Sequence, residues 1–162
     1  MRRSIRRLAA GVVLAVLVAA GAAPAGADRV PLHQVPKPVQ DAVRARFPDA
    51  RITGADRDLE AGKVLYEVSL RQAGQNIDVV ATPEGALVLI KREIAPGEVA
   101  GPVARALEAR FPGATCKVVE EVTRVDGRRE TLAHYEVLLV TARHRTLEVL
   151  IGVDGAILRQ ER

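Results

Sequence analysis

The chain repeats itself, and that restricts its fold more than any other feature. Ala45-Arg46-Phe47-Pro48-Asp49-Ala50 returns as Ala109-Arg110-Phe111-Pro112-Gly113-Ala114, 64 residues later. Tyr66-Glu67-Val68 returns as Tyr135-Glu136-Val137 at an offset of 69. Ile77-Asp78-Val79 matches Leu147-Glu148-Val149, and Glu84-Gly85-Ala86 matches Asp154-Gly155-Ala156, both at 70. Four matches in one order define two copies, and the growing offset requires one five-residue insertion and one further residue in the second. Ala95-Pro96-Gly97 is the joint between them.

Each copy opens with a helix. Pro38 and Pro102 sit where a first helical turn tolerates proline. Val39, Ala42, Val43 and Phe47 then share one face, as do Val103, Ala106, Leu107 and Phe111. Pro48 and Pro112 end both helices, because the residue before proline is driven out of the helical region. The rest of each copy alternates with a period of two. Val64, Tyr66, Val68 and Leu70 alternate with Lys63, Glu67, Ser69 and Arg71, interrupted only by Leu65. Strands are expected at 75–82 and 86–91, with a short one around Ile52. The second copy is expected to repeat them at 116–123, 133–140, 145–151 and 156–159. The expected fold is therefore α+β: two tandem modules, each one helix packed on an antiparallel four-stranded meander sheet.

The amino terminus has its own signature. Arg2, Arg3, Arg6 and Arg7 precede an uncharged run from Leu8 to Ala23, and Ala25-Gly26-Ala27 supplies small residues for cleavage. That pattern is a secretory signal peptide. The strongly apolar part, Leu8 to Ala20, falls short of the ~20 residues a membrane span needs. The expected division is a signal peptide at 1–27, a leader at 28–34, a first module at 35–93, a linker at 94–97 and a second module at 98–162. A periplasmic or extracellular location follows, with no stable membrane anchor after cleavage near Ala27.

Cleavage changes the charge argument. The whole chain carries 24 Lys+Arg against 20 Asp+Glu, and the four leading arginines are all of the excess. A neutral mature chain lacks the basic surface that nucleic acid requires. Two phenylalanines, two tyrosines and no tryptophan leave little for base stacking. Cys116 is the single cysteine, so no internal disulfide forms.

A helix ending in Phe-Pro-x-Ala, then Tyr-Glu-Val, then a hairpin closing on an acidic-Gly turn, resembles the PepSY-like family of exported bacterial domains. That family shares its architecture with the beta-lactamase inhibitory protein. The resemblance covers both copies. It implies an α+β fold, an envelope location and a binding or inhibitory role, with Phe47, Tyr66, Phe111 and Tyr135 as core positions.

No catalytic motif stands out: Gly-x-Ser-x-Gly, His-Glu-x-x-His and a phosphate loop are all absent from the sequence. Of the histidines, His134 and His144 are expected about six positions apart on a hairpin ladder, roughly 20 Å at the usual rise, and His33 lies in the leader. Zinc ligands all lie within about 2 Å of one ion, so no metal or cofactor is expected. Cys116 matches the inward-facing Ile52 and reads as a buried thiol. Asp56, Asp58, Glu60 and Glu67 imitate calcium-loop spacing, but Ala61 stands where the loop needs glycine. They read as a solvated hairpin loop, and its use in a small-ligand or calcium-responsive sensor is the alternative function.

The outward strand positions differ between the copies. Glu67, Ser69, Arg71, Asn76 and Asp78 are polar in the first, whereas the second offers Glu136, Leu138, Val140, Glu148 and Leu150. An apolar patch on a sheet face without a helix is a candidate partner surface. Packing between the modules or within a homodimer is the competing use. The expected function is thus an exported non-catalytic protein-binding module, an inhibitor or modulator of an envelope enzyme.

Overall fold

The computed structural model describes residues 28–161; the signal peptide expected at 1–27 and the terminal Arg162 lie outside the described residues. The order is β1 (Asp28–Arg29), α1 (Lys37–Arg46), β2 (Arg51–Glu60), β3 (Lys63–Gln72), β4 (Gln75–Ala81), β5 (Leu87–Ile94), α2 (Gly101–Arg110), β6 (Thr115–Asp126), β7 (Arg129–Val140), β8 (Thr146–Gly152) and β9 (Ile157–Glu161). All nine strands join one sheet in sequence order, every neighbouring pair antiparallel.

This corrects the expected fold class. The described residues form one nine-stranded antiparallel sheet carrying two short α-helices, not two tandem modules of a helix on a four-stranded sheet. The decisive element is β5. Its alternation was expected to end at Lys91, where Lys91-Arg92-Glu93 follow one another, yet it runs to Ile94. Along that extension Leu89 to Ile94 pair with Arg124 to Val119 of β6. A free edge at either strand would expose a row of unpaired backbone groups, and pairing the two edges removes both.

The repeat survives inside the single sheet. Pro38 and Pro102 lie in the first turns of α1 and α2, and both helices stop at phenylalanine. Phe47 and Phe111 donate their backbone N–H to Val43 and Leu107 and are 5% and 8% exposed. Val39, Val43 and Phe47 pack on Val68, Leu70, Ile77, Val79 and Ile90. Val103, Leu107 and Phe111 pack on Val119, Tyr135, Val137, Leu139, Val149 and Ile151. Ile90 and Ile94 share one face of β5, and Ile94 sits opposite Val119, so both helices lie on the same side.

The repeated acidic-Gly turn also has a cause. Gly85 and Gly155 have φ of +88° and +89°, where side chains are strained. A Cβ at Gly85 would lie 2.6 Å from the carbonyl oxygen of Pro38, and one at Gly155 would lie 2.8 Å from that of Pro102. Each turn therefore abuts the first turn of its helix, linking two of the repeated motifs in space.

A further correction concerns 56–60. These residues are not a solvated loop: β2 continues to Glu60, with Asp56 opposite Glu67, Asp58 opposite Leu65 and Glu60 opposite Lys63. The reversal is the two-residue turn Ala61-Gly62, both at positive φ, the geometry that matches strand twist. Charged residues are poor strand formers individually, and cross-strand pairing overrides that preference here.

Candidate functional site

The cross-strand register places the outward residues of the two halves on one helix-free face. Asp78 lies opposite Lys91, Lys91 opposite Val122, and Val122 opposite His134. One register step away, Glu93 lies opposite Glu120 and Glu120 opposite Glu136. The centre of the face is thus a charged cluster at the seam between β5, β6 and β7.

Lys91 is 4% exposed and Glu136 2% exposed. Lys91 Nζ donates to Glu136 Oε2 at 3.2 Å and stands 3.8 Å from Glu67 Oε2. His134 Nε2 lies 3.6 Å from the other oxygen, Glu136 Oε1. Burial alone would lower the lysine, but the surrounding carboxylates of Glu136, Glu67 and Glu120 outweigh it and hold its pKa above the ordinary value. Burial pushes against ionisation of Glu136, yet the nearby His134 ring and the charge of Lys91 hold its carboxyl below the usual range. Glu120 behaves oppositely: burial, only partly offset by Lys91, pushes it up to about 8, and Asp78, Glu136 and Glu67 add to the rise.

Apolar side chains border the cluster. Leu65, Val80, Leu89 and Val122 form a third core on this face, with no helix of the described residues above it, all 7% exposed or less. Leu65, the residue that interrupts the alternation of its strand, therefore belongs to this second face. Burial on an uncovered face means that neighbouring rows shield one another, as on the inside of a curved sheet. Register shifts in β2, β4–β5, β6–β7 and β8–β9 provide the local bends.

All five residues proposed for partner contact lie on the helix-free face. Glu136 sits opposite Leu150, Leu138 opposite Glu148, and Val140 opposite Thr146. Their accessibility differs: Leu138 and Leu150 are each 8% exposed, while Val140 and Glu148 are half-buried. Glu136 belongs to the charged cluster rather than to an exposed patch. Lys91 and Glu120 escape sequence reasoning because each gains neighbours from the other half, across a strand pairing that separate modules would not make.

The arrangement is ionic rather than nucleophilic. Lys91, held protonated, has no free amine lone pair for attack. Cys116 faces the helix-side core beside Leu139, half-buried, and burial pushes its thiol up. That placement matches an inert thiol. His134 lies in β7, whereas His144 occupies the β7–β8 turn at φ 57°. Among the described residues no group of three or more His, Cys, Asp or Glu side chains is placed to hold a metal ion.

No family model matches the chain. No curated protein sequence matches it either. Solved structures do. A Bacteroides eggerthii protein assigned provisionally to the periplasm is 20% identical, with a TM-score of 0.62 over 78% of this chain and 88% of that one. A DUF2874 family protein from Bacteroides uniformis is 19% identical, with a TM-score of 0.61 over the same shares. A BLIP-like protein from Bacteroides fragilis is 13% identical, with a TM-score of 0.54 over 77% of this chain and 84% of that one. The architecture is BLIP-like. At these identities the likeness is one of fold, and the PepSY-like resemblance remains one of motif order.

Proposed function

We propose that the chain is exported and acts outside the cytoplasm as a non-catalytic binding protein, its helix-free sheet face receiving a partner protein of the cell envelope. One observation carries the reading. Both helices pack on the same side of the sheet, so among the described residues the opposite side of the nine strands carries no helix. That face combines apolar rows with charged side chains, the mixture found where proteins recognise one another. Inhibition or modulation of an envelope enzyme is the activity this reading assigns to the face. The fold likeness to a BLIP-like protein, and to one assigned provisionally to the periplasm, supports this reading.

The test compares the two sides of the sheet in producing cells. A photo-crosslinking amino acid replaces Val140 or Ser69, half-buried on the helix-free face, or Arg44 or Glu108, exposed on the helices. Adducts with an envelope protein are expected from the first pair and not from the second. Adducts from Arg44 and Glu108 alone would move the partner to the helix side and overturn the assignment.

A further inference from the structure

The least expected feature of the sheet is the row Glu93–Glu120–Glu136, three glutamates directly opposed in register on three consecutive strands. Like charges directly opposite across a sheet are destabilising. The row lies where the two halves join, because β5 is the last strand of the first half and β6 opens the sheet of the second. Few cations serve it. On β5, Lys91 reaches Glu136 and Glu67. On β7, His134 reaches Glu136. On β4, Asp78 adds a further acid opposite Lys91, and Asn76 donates a hydrogen bond to Glu93. Along the row beyond Glu136, Leu150 separates the carboxyls from Arg159 of β9. Val118 and Val122, the neighbours of Glu120 on the same face of β6, are apolar.

We propose that this row makes the junction of the two halves a proton-dependent joint, tight while one of the three carboxyls keeps its proton and loosened when all three ionise. The middle position holds the proton. Glu120 has a glutamate opposite it on each neighbouring strand, whereas Glu136 has Lys91 and His134, and Glu93 has Asn76.

The sign follows from the direction of the shift. Burial first, with neighbouring acids, raises Glu120 from an ordinary 4.5 to about 8. Between those values the folded chain holds a proton that the unfolded chain has released. Stability therefore falls as pH rises across that window, the folding equilibrium dropping by up to ~10-fold per pH unit, and levels off above it. Lys91 and Glu136 do not produce this slope. The raised lysine contributes stability that is fully present below 10.5, and the depressed Glu136 contributes stability that is present above 4.5.

The experiment is denaturant unfolding of the mature chain from pH 5 to pH 9, with amide exchange followed at each pH and corrected for its intrinsic pH dependence. In the natural sequence, the folding equilibrium should fall at least ~10-fold between pH 5 and pH 8. Protection at the β5–β6 pairs should fall more than at β3–β4. Glu120→Gln, which keeps the shape of the protonated acid, should abolish most of the slope, and His134→Gln should leave it. Asp78→Asn, which removes the largest acidic contribution after burial, should move the transition to lower pH. An unchanged slope in Glu120→Gln would overturn the proposal. So would a slope lost in His134→Gln, or a loss of protection no greater at the seam than elsewhere.

Discussion

Lys91→Met tests the charged seam most directly. The substitution keeps an unbranched apolar stem but removes the ammonium that serves Glu136 at 3.2 Å and Glu67 at 3.8 Å. Glu136 is 2% exposed, so water cannot replace the lost partner without opening the sheet. Breaking a buried ion pair from one side typically costs about 3–5 kcal/mol, because the surviving charge is left desolvated. Two carboxylates lose the Lys91 ammonium here, which keeps the cost within that range. A domain of ordinary stability has only ~5–15 kcal/mol in total. With a urea m-value of about 2 kcal/mol/M, the midpoint should fall by roughly 2 M. Lys91→Met combined with Glu136→Leu should recover much of that loss, since apolar replacement of both partners is often neutral or better. The assay is urea unfolding of the natural sequence, both single variants and the double variant, read as a double-mutant cycle. Additive single losses, with no recovery in the double variant, would refute the claim that the pair is one coupled unit.

Two further outcomes follow from the packing. Gly85→Ala should destabilise the chain clearly more than Gly62→Ala in thermal melts: both positions share left-handed strain of order 1–2 kcal/mol, but only Gly85 also meets a carbonyl, at 2.6 Å. Leu138→Asp should unfold or strongly destabilise the protein, because Leu138 is 8% exposed and burying a carboxylate there is costly, whereas Val140→Asp at the half-buried end of β7 should leave the circular dichroism spectrum and urea midpoint close to those of the natural sequence.

Much of the local structure was legible because it rests on short-range physics. Proline in the first turn and proline after phenylalanine bound both helices, since each acts on backbone angles within one or two residues. Alternation located β3, β4, β7 and β8, and placed Glu136, Leu138, Val140, Glu148 and Leu150 together on the face away from the helices. Cys116 and Ile52, matched by the repeat, both lie against the helix-side cores, but half-buried rather than buried. The acidic stretch 56–60 was less legible, because a charged strand has the composition of a loop until its partner is known.

The sequence by itself determined the duplicated order of helix and strands, because periodicity and proline act along the chain. Only the tertiary structure decided that the two copies share one sheet. That depends on whether the edge of β5 meets the edge of β6, and an unpaired strand edge is satisfied equally well in writing by any other strand. The same contact created the candidate site. Lys91 and Glu136, 45 residues apart, acquire their burial and shifted protonation only once that seam closes. Electrostatics at a buried site depends on distance and desolvation, and neither quantity exists in a sequence until the fold supplies it.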